Sequence, residues 1–412
     1  MPSNTPSPLR SDVIISGGGL VGQALAVALA HHGLSAAVID PVDQLAQTAP
    51  GADGRVASIA SGSWKMLEVI GVAQDIREAC PIEQIWVSDG LKPGELDFVP
   101  EKDSGPLGYM VENRNMRLAL QQAVARHPDL IRLHMPAKAV DIMRDAHRAA
   151  VTLDTGAVLE APLLIVAEGR MSPTREAEQF GLASWDYHHV ALVGQITHAL
   201  PHDNIAYEIF QPDGPFAILP MEDLGGKHRS AYVFTVPKEK AAAYNKLGDR
   251  GFLASLYKHT GGMFGEIALA APRMSYPLGF LHTTKVIRER LVLIGDTAHG
   301  MHPIAGQGLN LGYRDVAALT EILVEGARLG LDLGDTQLLE RYERWRSMDS
   351  VVTMGATDAL VKLFGVPGKA VSAVRRFGLG AVQRSGPLKA FFMKQARGEG
   401  GDLPKLLVGM EV

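Results

Sequence analysis

Val13-Ile14-Ile15-Ser16-Gly17-Gly18-Gly19-Leu20-Val21-Gly22 is the stretch on which the fold turns. Its uncharged opening reads as a short buried strand. The glycines at 17, 19 and 22 then match G-x-G-x-x-G directly after that strand. Gly17 permits a tight turn, Gly19 lets the main chain approach a pyrophosphate, and Gly22 lets a helix pack closely on the strand. Val21 to His32 follows as that helix, closed by Gly33, and Ala36 to Asp40 reads as a second strand. The whole is a βαβ unit of about thirty residues. Asp40 stands at its far end, where an acid accepts bonds from a ribose hydroxyl. The helix N-terminus offers free N–H groups and partial positive charge to phosphates. These residues indicate a dinucleotide site, with a structural glycine turn as the bland alternative. Val13 to Ala30 also carries no charge over eighteen residues, which is the length of a short membrane span. Glycines at its centre and a lone basic flank, Arg10, favour strand, turn and helix instead.

Two further apolar runs suit the same sheet. Leu163 to Ala167 ends in Glu168-Gly169, and Arg290 to Ile294 ends in Gly295-Asp296. Ligands of open α/β sheets bind beyond the carboxyl ends of strands, so three distant stretches aim their turns at one crevice. Between them the pattern changes. Val190 to Ile196, Ala206 to Phe210, Pro215 to Leu219 and Ala231 to Val236 read as strands, with Gln211-Pro212-Asp213-Gly214 as a hairpin turn. The expected fold is α/β: a Rossmann-like domain of 1–72, 106–175 and 285–357, a mainly antiparallel β domain of 73–105 and 176–284, and a C-terminal helical segment of 358–412.

The first motif does not separate FAD from NAD; the run from Leu291 onward bears on that choice. A strand ends in Asp296, which can accept from a ribityl hydroxyl, and a glycine-rich loop from His302 leads to a helix near Gly308. The amides of that loop and the helix N-terminus suit the pyrimidine edge of a flavin, which becomes anionic on reduction. His299 and His302 lack a nearby third ligand, so a metal pair is not expected.

The chain has 412 residues, 46% apolar and 21% charged, which excludes wholesale disorder and leaves ample length for a core. A net charge of −5 supplies no reason to expect nucleic acid. One cysteine, Cys80, excludes an internal disulfide and suits a reducing cytoplasm. Residues 359–397 carry eight basic side chains and no acid, with Val371, Val374 and Phe377, then Leu388, Phe391 and Phe392, at helical spacing. Two readings stand for this segment: a tail packed on its own protein, or an amphipathic contact with anionic lipid or an acidic partner.

His302-Pro303-Ile304-Ala305-Gly306-Gln307-Gly308-Leu309-Asn310-Leu311-Gly312-Tyr313-Arg314-Asp315 resembles the signature of the UbiH/UbiF-type ubiquinone-biosynthesis hydroxylases, a group of class A flavoprotein monooxygenases. Asp53-Gly54-Arg55, Glu112 to Leu120, Trp185-Asp186-Tyr187 and Ala206 to Pro220 are similar to that family too, so the likeness spans roughly residues 12 to 398. The resemblance implies ADP-side contacts at Gly17, Gly19, Gly22 and Asp40, and arginines near the pyrophosphate and ribityl chain at Arg55 and Arg117. It implies flavin contacts at Gly295 and Asp296. Pro303, Gly306 and Gln307, with Gly308, Leu309 and Asn310, match the catalytic loop beside the isoalloxazine. Two departures matter. Glu168-Gly169, followed by Ser172 and Arg175, replaces the usual Asp-Gly, and Asp40 stands where many members carry Glu.

The implied activity is hydroxylation of the aromatic ring of a polyprenylated phenol or quinone precursor, through a C4a-hydroperoxyflavin, with O2 as cosubstrate and NAD(P)H as a visiting reductant. No second G-x-G-x-x-G opens a helix after a strand, which agrees with a reductant that has no domain of its own. No side-chain nucleophile is expected. A general base for the phenol is plausible, with His188, His189, Tyr187 and Tyr207 in the suspected substrate layer. Met221, Met263 and Met274 are candidates for a prenyl pocket. For each of these the default is structural. The competing readings are a hydroxylase of a soluble phenol, an isoprenoid reductase of the same fold, an FAD-containing assembly subunit without activity, and an NAD-binding oxidoreductase. A cytoplasmic enzyme meeting the inner membrane, or other ubiquinone-biosynthesis proteins, through residues 359–397 completes the expectation.

Overall fold

The computed structural model describes residues 8–51, 53–91, 96–301, 306–347, 355 and 369–412. One sheet runs in the order Ile287–Arg288, Leu291–Leu293, Leu163–Val166, Val13–Ser16, Ala36–Ile39, Ile131–His134. All its pairings are parallel except the one at the Ile287–Arg288 edge. Val13, Ile14, Ile15, Leu163, Leu164, Ile165, Leu291, Val292 and Leu293 are wholly buried, as strands covered on both faces require. Helix α1 (Leu20–His31) is buried from Gly22 to Ala30. A helix enclosed on every side is apolar all round, which is why its sequence imitates a span. Helices α2 (Asn113–Ala125) and α3 (Gln307–Arg328) share its core, with Met116, Leu120, Tyr313, Val316 and Leu319 packed among α1 and the sheet.

The second sheet has nine strands and is mainly antiparallel. Its main path is His299–Gly300, Met274–Thr283, Leu182–His198, Lys227–Pro237, Gly214–Leu224, Ile205–Gln211, Gln84–Asp89, Leu96–Phe98. The Pro-Asp-Gly turn closes the expected hairpin, with Gln211 opposite Gly214. The two faces of this sheet serve different cores. Tyr207, Ile209, Phe216, Ile218 and Phe234 pack outward with Phe252 and Phe264. Ala206, Phe210, Met221 and Ala231 pack inward with Ile82, Phe98, Met110 and Leu379, and Val56 lies against them.

The C-terminal segment forms helices α4 (Lys369–Arg384) and α5 (Gly386–Ala396). Leu379, Val382, Phe392 and Met393 face the protein. Several of the cations are consumed internally: Arg375 with Asp89 at 3.1 Å, Lys389 with Asp97 at 3.2 Å, and Arg397 with Glu399 at 2.9 Å. Phe377 and Phe391 do not join them; they are 73% and 49% exposed. The single apolar stripe expected from spacing is therefore split, because Arg375, Leu379 and Val382 already fill the inward face of α4. The side chains of Val371 and Val374 lie outside the described residues. Among the described residues no helix is long and apolar enough to cross a membrane.

Candidate active site

Helix α1 opens at Gly19 with no side-chain cap and no acid in its first turn. Its leading N–H groups therefore have no side-chain cap among the described residues. A Cβ on Gly19 would meet nothing within 4 Å, whereas one on Gly17 would lie 2.2 Å from the Ala167 carbonyl oxygen and one on Gly22 1.9 Å from that of Gly17. The three glycines thus divide as the motif suggests: two close the turn and one leaves room. Gly17 also has φ +114°, which a side chain rarely tolerates. Asp40 accepts from Gly18 N–H at 2.8 Å, Val42 N–H at 2.8 Å and the Gln47 amide at 3.2 Å. A carboxylate offers about four acceptor sites, so one remains for a ligand hydroxyl.

Beside this turn, Asp53 gathers both predicted arginines. Arg55 donates to it in a fork, Nε at 2.8 Å and Nη2 at 2.7 Å, and Arg117 Nη2 stands 3.6 Å away. Burial would raise the Asp53 carboxyl, but the Arg55 fork outweighs it and holds the group at about 2. Arg117 donates to Gln47 at 2.9 Å, while its Nε is buried without a partner. Arg55 lies over the Tyr276 ring, 5.7 Å from its centroid.

Asp296 follows Gly295 just beyond the Leu291–Leu293 strand. Its side chain is exposed although protein crowds it closely, and that crowding pushes its carboxyl up. It makes no side-chain hydrogen bond among the described residues. A carboxylate so placed stands on the floor of an open cleft. The loop beneath it is fixed from behind by Asp315 of α3, whose Oδ2 accepts Gly295 N–H at 2.8 Å and meets His299 Nε2 at 3.0 Å. The other oxygen accepts Arg346 Nε at 2.6 Å. Burial alone would raise Asp315; His299 and Arg346 reverse that and hold it at about 2.

Helix α3 starts at Gly306, also without a side-chain cap or an acid in its first turn. Gly306 adopts φ +63°, and a Cβ there would press on Ser58 at 2.8 Å. Gly308 faces open space. Asn310 is wholly engaged: its Oδ1 accepts Ala60 N–H at 2.8 Å, and its Nδ2 donates to the Ser58 carbonyl at 2.8 Å and that of Gly306 at 3.1 Å. It clamps the loop to the Val56–Ala60 strand and is buried there, so it holds main chain in place. Gln307 and Leu309 lie partly buried in the same turn. Pro303 lies outside the described residues. The first turn of α1 meets this assembly directly, since Val21 would touch a Cβ placed on Gly295 at 3.3 Å and one on Gly312 at 2.8 Å.

Glu168 is spent in the same way. Its carboxylate accepts Ser16 Oγ at 2.6 Å, Thr174 Oγ1 at 2.7 Å, Ser172 Oγ at 2.5 Å and Thr174 N–H at 3.1 Å. The extra methylene relative to Asp lets it tie two strand ends together, so it positions Gly169 rather than reaching a ligand. Gly169 in turn donates to Thr297 Oγ1 at 2.9 Å, and a Cβ on it would meet open space.

Of the residues considered for proton transfer, Tyr207 points outward into the Phe264 cluster, and His189 is bound to the Tyr187 carbonyl at 2.7 Å. Met221 and Met263 fill cores, while Met274 reaches the site, its Cε 3.1 Å from where a Cβ on Gly54 would lie. Cys80 is buried, and burial pushes its thiol up to about 12, so it is no nucleophile. The sequence patterns assigned no role to Asp53, Asp315, Arg346 or Glu208, although Asp53 and Asp315 lie within the quoted family-like stretches. Glu208 left a further local signal, a carboxylate inside the apolar run Ala206 to Phe210.

The assembled residues fit FAD: two uncapped helix N-termini, two arginines about one carboxylate, an orphaned Arg117 Nε, a free Asp296 and empty space over Gly19, Gly169 and Gly308. Comparison with known proteins agrees. The FAD binding domain family matches residues 10–352. The ubiquinone hydroxylase UbiL of Rhodospirillum rubrum is 41% identical over 404 residues, covering 97% of this chain and 93% of its own. The 3-demethoxyubiquinol 3-hydroxylase of Escherichia coli is 30% identical over 393 residues, 94% and 98% of the two chains. In structure, p-nitrophenol 4-monooxygenase PnpA of Pseudomonas putida superposes with a TM-score of 0.79 at 16% identity, covering 96% of this chain and all of its own, a likeness of fold.

Proposed function

Because the chain belongs to the FAD-dependent monooxygenase family of the ubiquinone hydroxylases, we propose that it hydroxylates the aromatic ring of a polyprenylated ubiquinone precursor, using O2 and NAD(P)H. The observation that carries this reading is the meeting of two uncapped helix N-termini at a cleft floored by an unpaired carboxylate, Asp296. Bound FAD supplies the redox chemistry, taking two electrons from the nicotinamide and activating O2 so that one oxygen atom enters the ring and the other leaves as water.

The protein's part is to bind, orient and exclude water. The N-terminus of α1 with Gly17, Gly19 and Gly22 receives the pyrophosphate, and the last acceptor site of Asp40 takes a ribose hydroxyl. Arg55 and Arg117, held by Asp53, offset phosphate charge. Asp296 accepts from the ribityl chain, and the amides of Gly306, Gln307 and Gly308 at the start of α3 stabilise negative charge on the pyrimidine edge. Asn310, Asp315 and Glu168 keep these groups in place.

The prenyl tail explains the outward Phe377, Leu388 and Phe391 on α4 and α5, which are flanked by the basic Arg376, Arg384 and Lys394. An apolar and basic face of this kind suits an anionic lipid surface. Cosedimentation with phosphatidylglycerol vesicles checks this: Phe377→Ser with Phe391→Ser is expected to lower the bound fraction several-fold with turnover of a soluble substrate unchanged. Equal binding by both proteins overturns the contact. The activity itself is tested with purified yellow protein, NADPH and a short-chain prenylphenol under 18O2. One labelled oxygen in the product is expected; NADPH oxidation yielding only hydrogen peroxide overturns the reading.

A further inference from the structure

The inward face of the nine-stranded sheet holds an acid that the cofactor site does not use. In the Ile205–Gln211 strand successive side chains alternate in direction. Tyr207 and Ile209 lie in the outer core and Ala206 and Phe210 in the inner one, so Glu208 shares the inner face. Its neighbours there across the ladder are Val87 and Ala217, an apolar residue and a small one. Glu208 makes no hydrogen bond and no ion pair among the described residues. Its side chain is partly open to solvent while protein surrounds it, and this burial alone pushes the carboxyl up to about 7. A group both crowded and reachable is a group on the wall of a recess.

What faces that wall is the flavin side of the molecule. Val56 packs against the core that contains Ala206 and Phe210. Two residues further along the same strand, Ser58 abuts Gly306, where the loop passes into α3. Residues two apart in a strand share a face and stand about 7 Å from one another, so the inner core that holds Ala206 and Phe210 lies close to the start of α3. The other charged groups on this face are already neutralised. Asp89 pairs with Arg375 at 3.1 Å, and Arg229 with Glu112 at 2.7 Å and Glu78 at 3.3 Å. Arg55 belongs to Asp53.

We propose that Glu208 is the general base of the hydroxylation, accepting the phenolic proton of the substrate ring. The inference rests on the ring-hydroxylase reading above. As the carboxylate takes the proton, the O–H bond breaks and its electron pair stays on the phenolic oxygen, enriching the ring carbon that forms the new C–O bond. That carbon then loses its C–H proton as aromaticity returns, and the carboxylic acid gives its own proton back to solvent. O2 and the two electrons of NAD(P)H complete the balance. A base poised near the working pH is the efficient choice for this task.

The test is the kcat/KM–pH profile of wild type and Glu208→Gln, with 2-prenylphenol and ring-fluorinated analogues that arrive already ionised. The amide is nearly isosteric, and flavin content and melting temperature confirm folding. Wild type is expected to lose activity below a pH near 7. Glu208→Gln is expected to lose about 10²-fold with 2-prenylphenol, to lack that acid limb, and to approach wild type as the phenol becomes more acidic. Glu208→Asp is expected to fall between. A Gln variant within about twofold of wild type and with the same acid limb overturns the assignment, as does a loss independent of phenol acidity. Wild type that hydroxylates no phenol at all overturns the ring-hydroxylase reading, and this assignment falls with it.

Discussion

The two regions of the molecule each hold a carboxylate crowded by protein and treat it in opposite ways. Asp315, on the α/β side, meets Gly295, His299 and Arg346 and is held at about 2. Glu208, on the antiparallel side, meets no polar partner and is pushed up to about 7. A buried acid surrounded by donors stays charged, and its value lies in holding geometry. A buried acid without them stays near the point of gaining or losing a proton. One region therefore holds fixed charge and fixed main chain; the other holds an acid able to take up a proton.

The largest way to break this contrast is to remove the fixed charge. Asp315→Ala leaves Arg346 buried without its carboxylate, and breaking a buried pair in this way costs about 3–5 kcal/mol. Urea unfolding is expected to show that loss. FAD titration of the apoprotein is expected to show weaker binding, because Gly295 and His299 lose their common anchor. Asp315→Asn, which still accepts hydrogen bonds, is expected to lose less of both. Equal FAD affinity in all three proteins refutes an anchoring role.

A smaller effect separates the glycines of the same region. In Gly22→Ala the new Cβ would lie 1.9 Å from the Gly17 carbonyl oxygen, and the backbone must yield at a cost of about 1–3 kcal/mol. In Gly19→Ala the Cβ enters empty space, and stability is expected to change by only a few tenths of a kcal/mol. FAD affinity is nonetheless expected to fall more than tenfold, because that space is where the pyrophosphate approaches. Stability and cofactor affinity thus part company at two glycines three residues apart. Retention of full FAD affinity by Gly19→Ala places the cofactor elsewhere.

The same contrast explains what could be read from the amino acids. The cofactor side is built from local pattern: strand, glycines at fixed offsets, helix, acid. Gly17, Gly19, Gly22 and Asp40 follow one another within 24 residues, so their chemistry is written in spacing. Glu168 and Asn310 were found by the same means, yet their side chains proved to be fasteners, since spacing locates a residue without telling what fills its hydrogen bonds. Asp315 was quoted within the loop signature, but its partner Arg346 lies 31 residues on and only packing unites them. The substrate side offers less. Tyr207 stood among four candidate bases and Glu208 was not among them; a one-residue alternation set by the pairing with Phe216 and Ile218 turns Tyr207 outward and Glu208 inward. Which face of a strand meets the cleft is decided by neighbours far away in the chain, such as Met110 and Leu379.

The smallest effect is a pH signature that sharpens the comparison through stability rather than turnover. Glu208 is raised from 4.5 to about 7 in the folded chain, so the native state binds its proton more tightly than the unfolded state does. Stability from this group is complete below about pH 4.5, declines as pH rises through the window up to 7, and is constant above it. Asp315 works in the reverse sense. Its folded value of about 2 lies below the ordinary 3.8, so its contribution is present above that range and is lost as pH falls toward 2. Glu208→Gln removes only the first of these. Its melting temperature is expected to equal that of wild type near pH 4.5 and to exceed it above pH 7 by on the order of 2 °C. Near-coincident melting curves at pH 8 would mean that Glu208 finds a donor in solution, and the two carboxylates would then differ in degree rather than in kind.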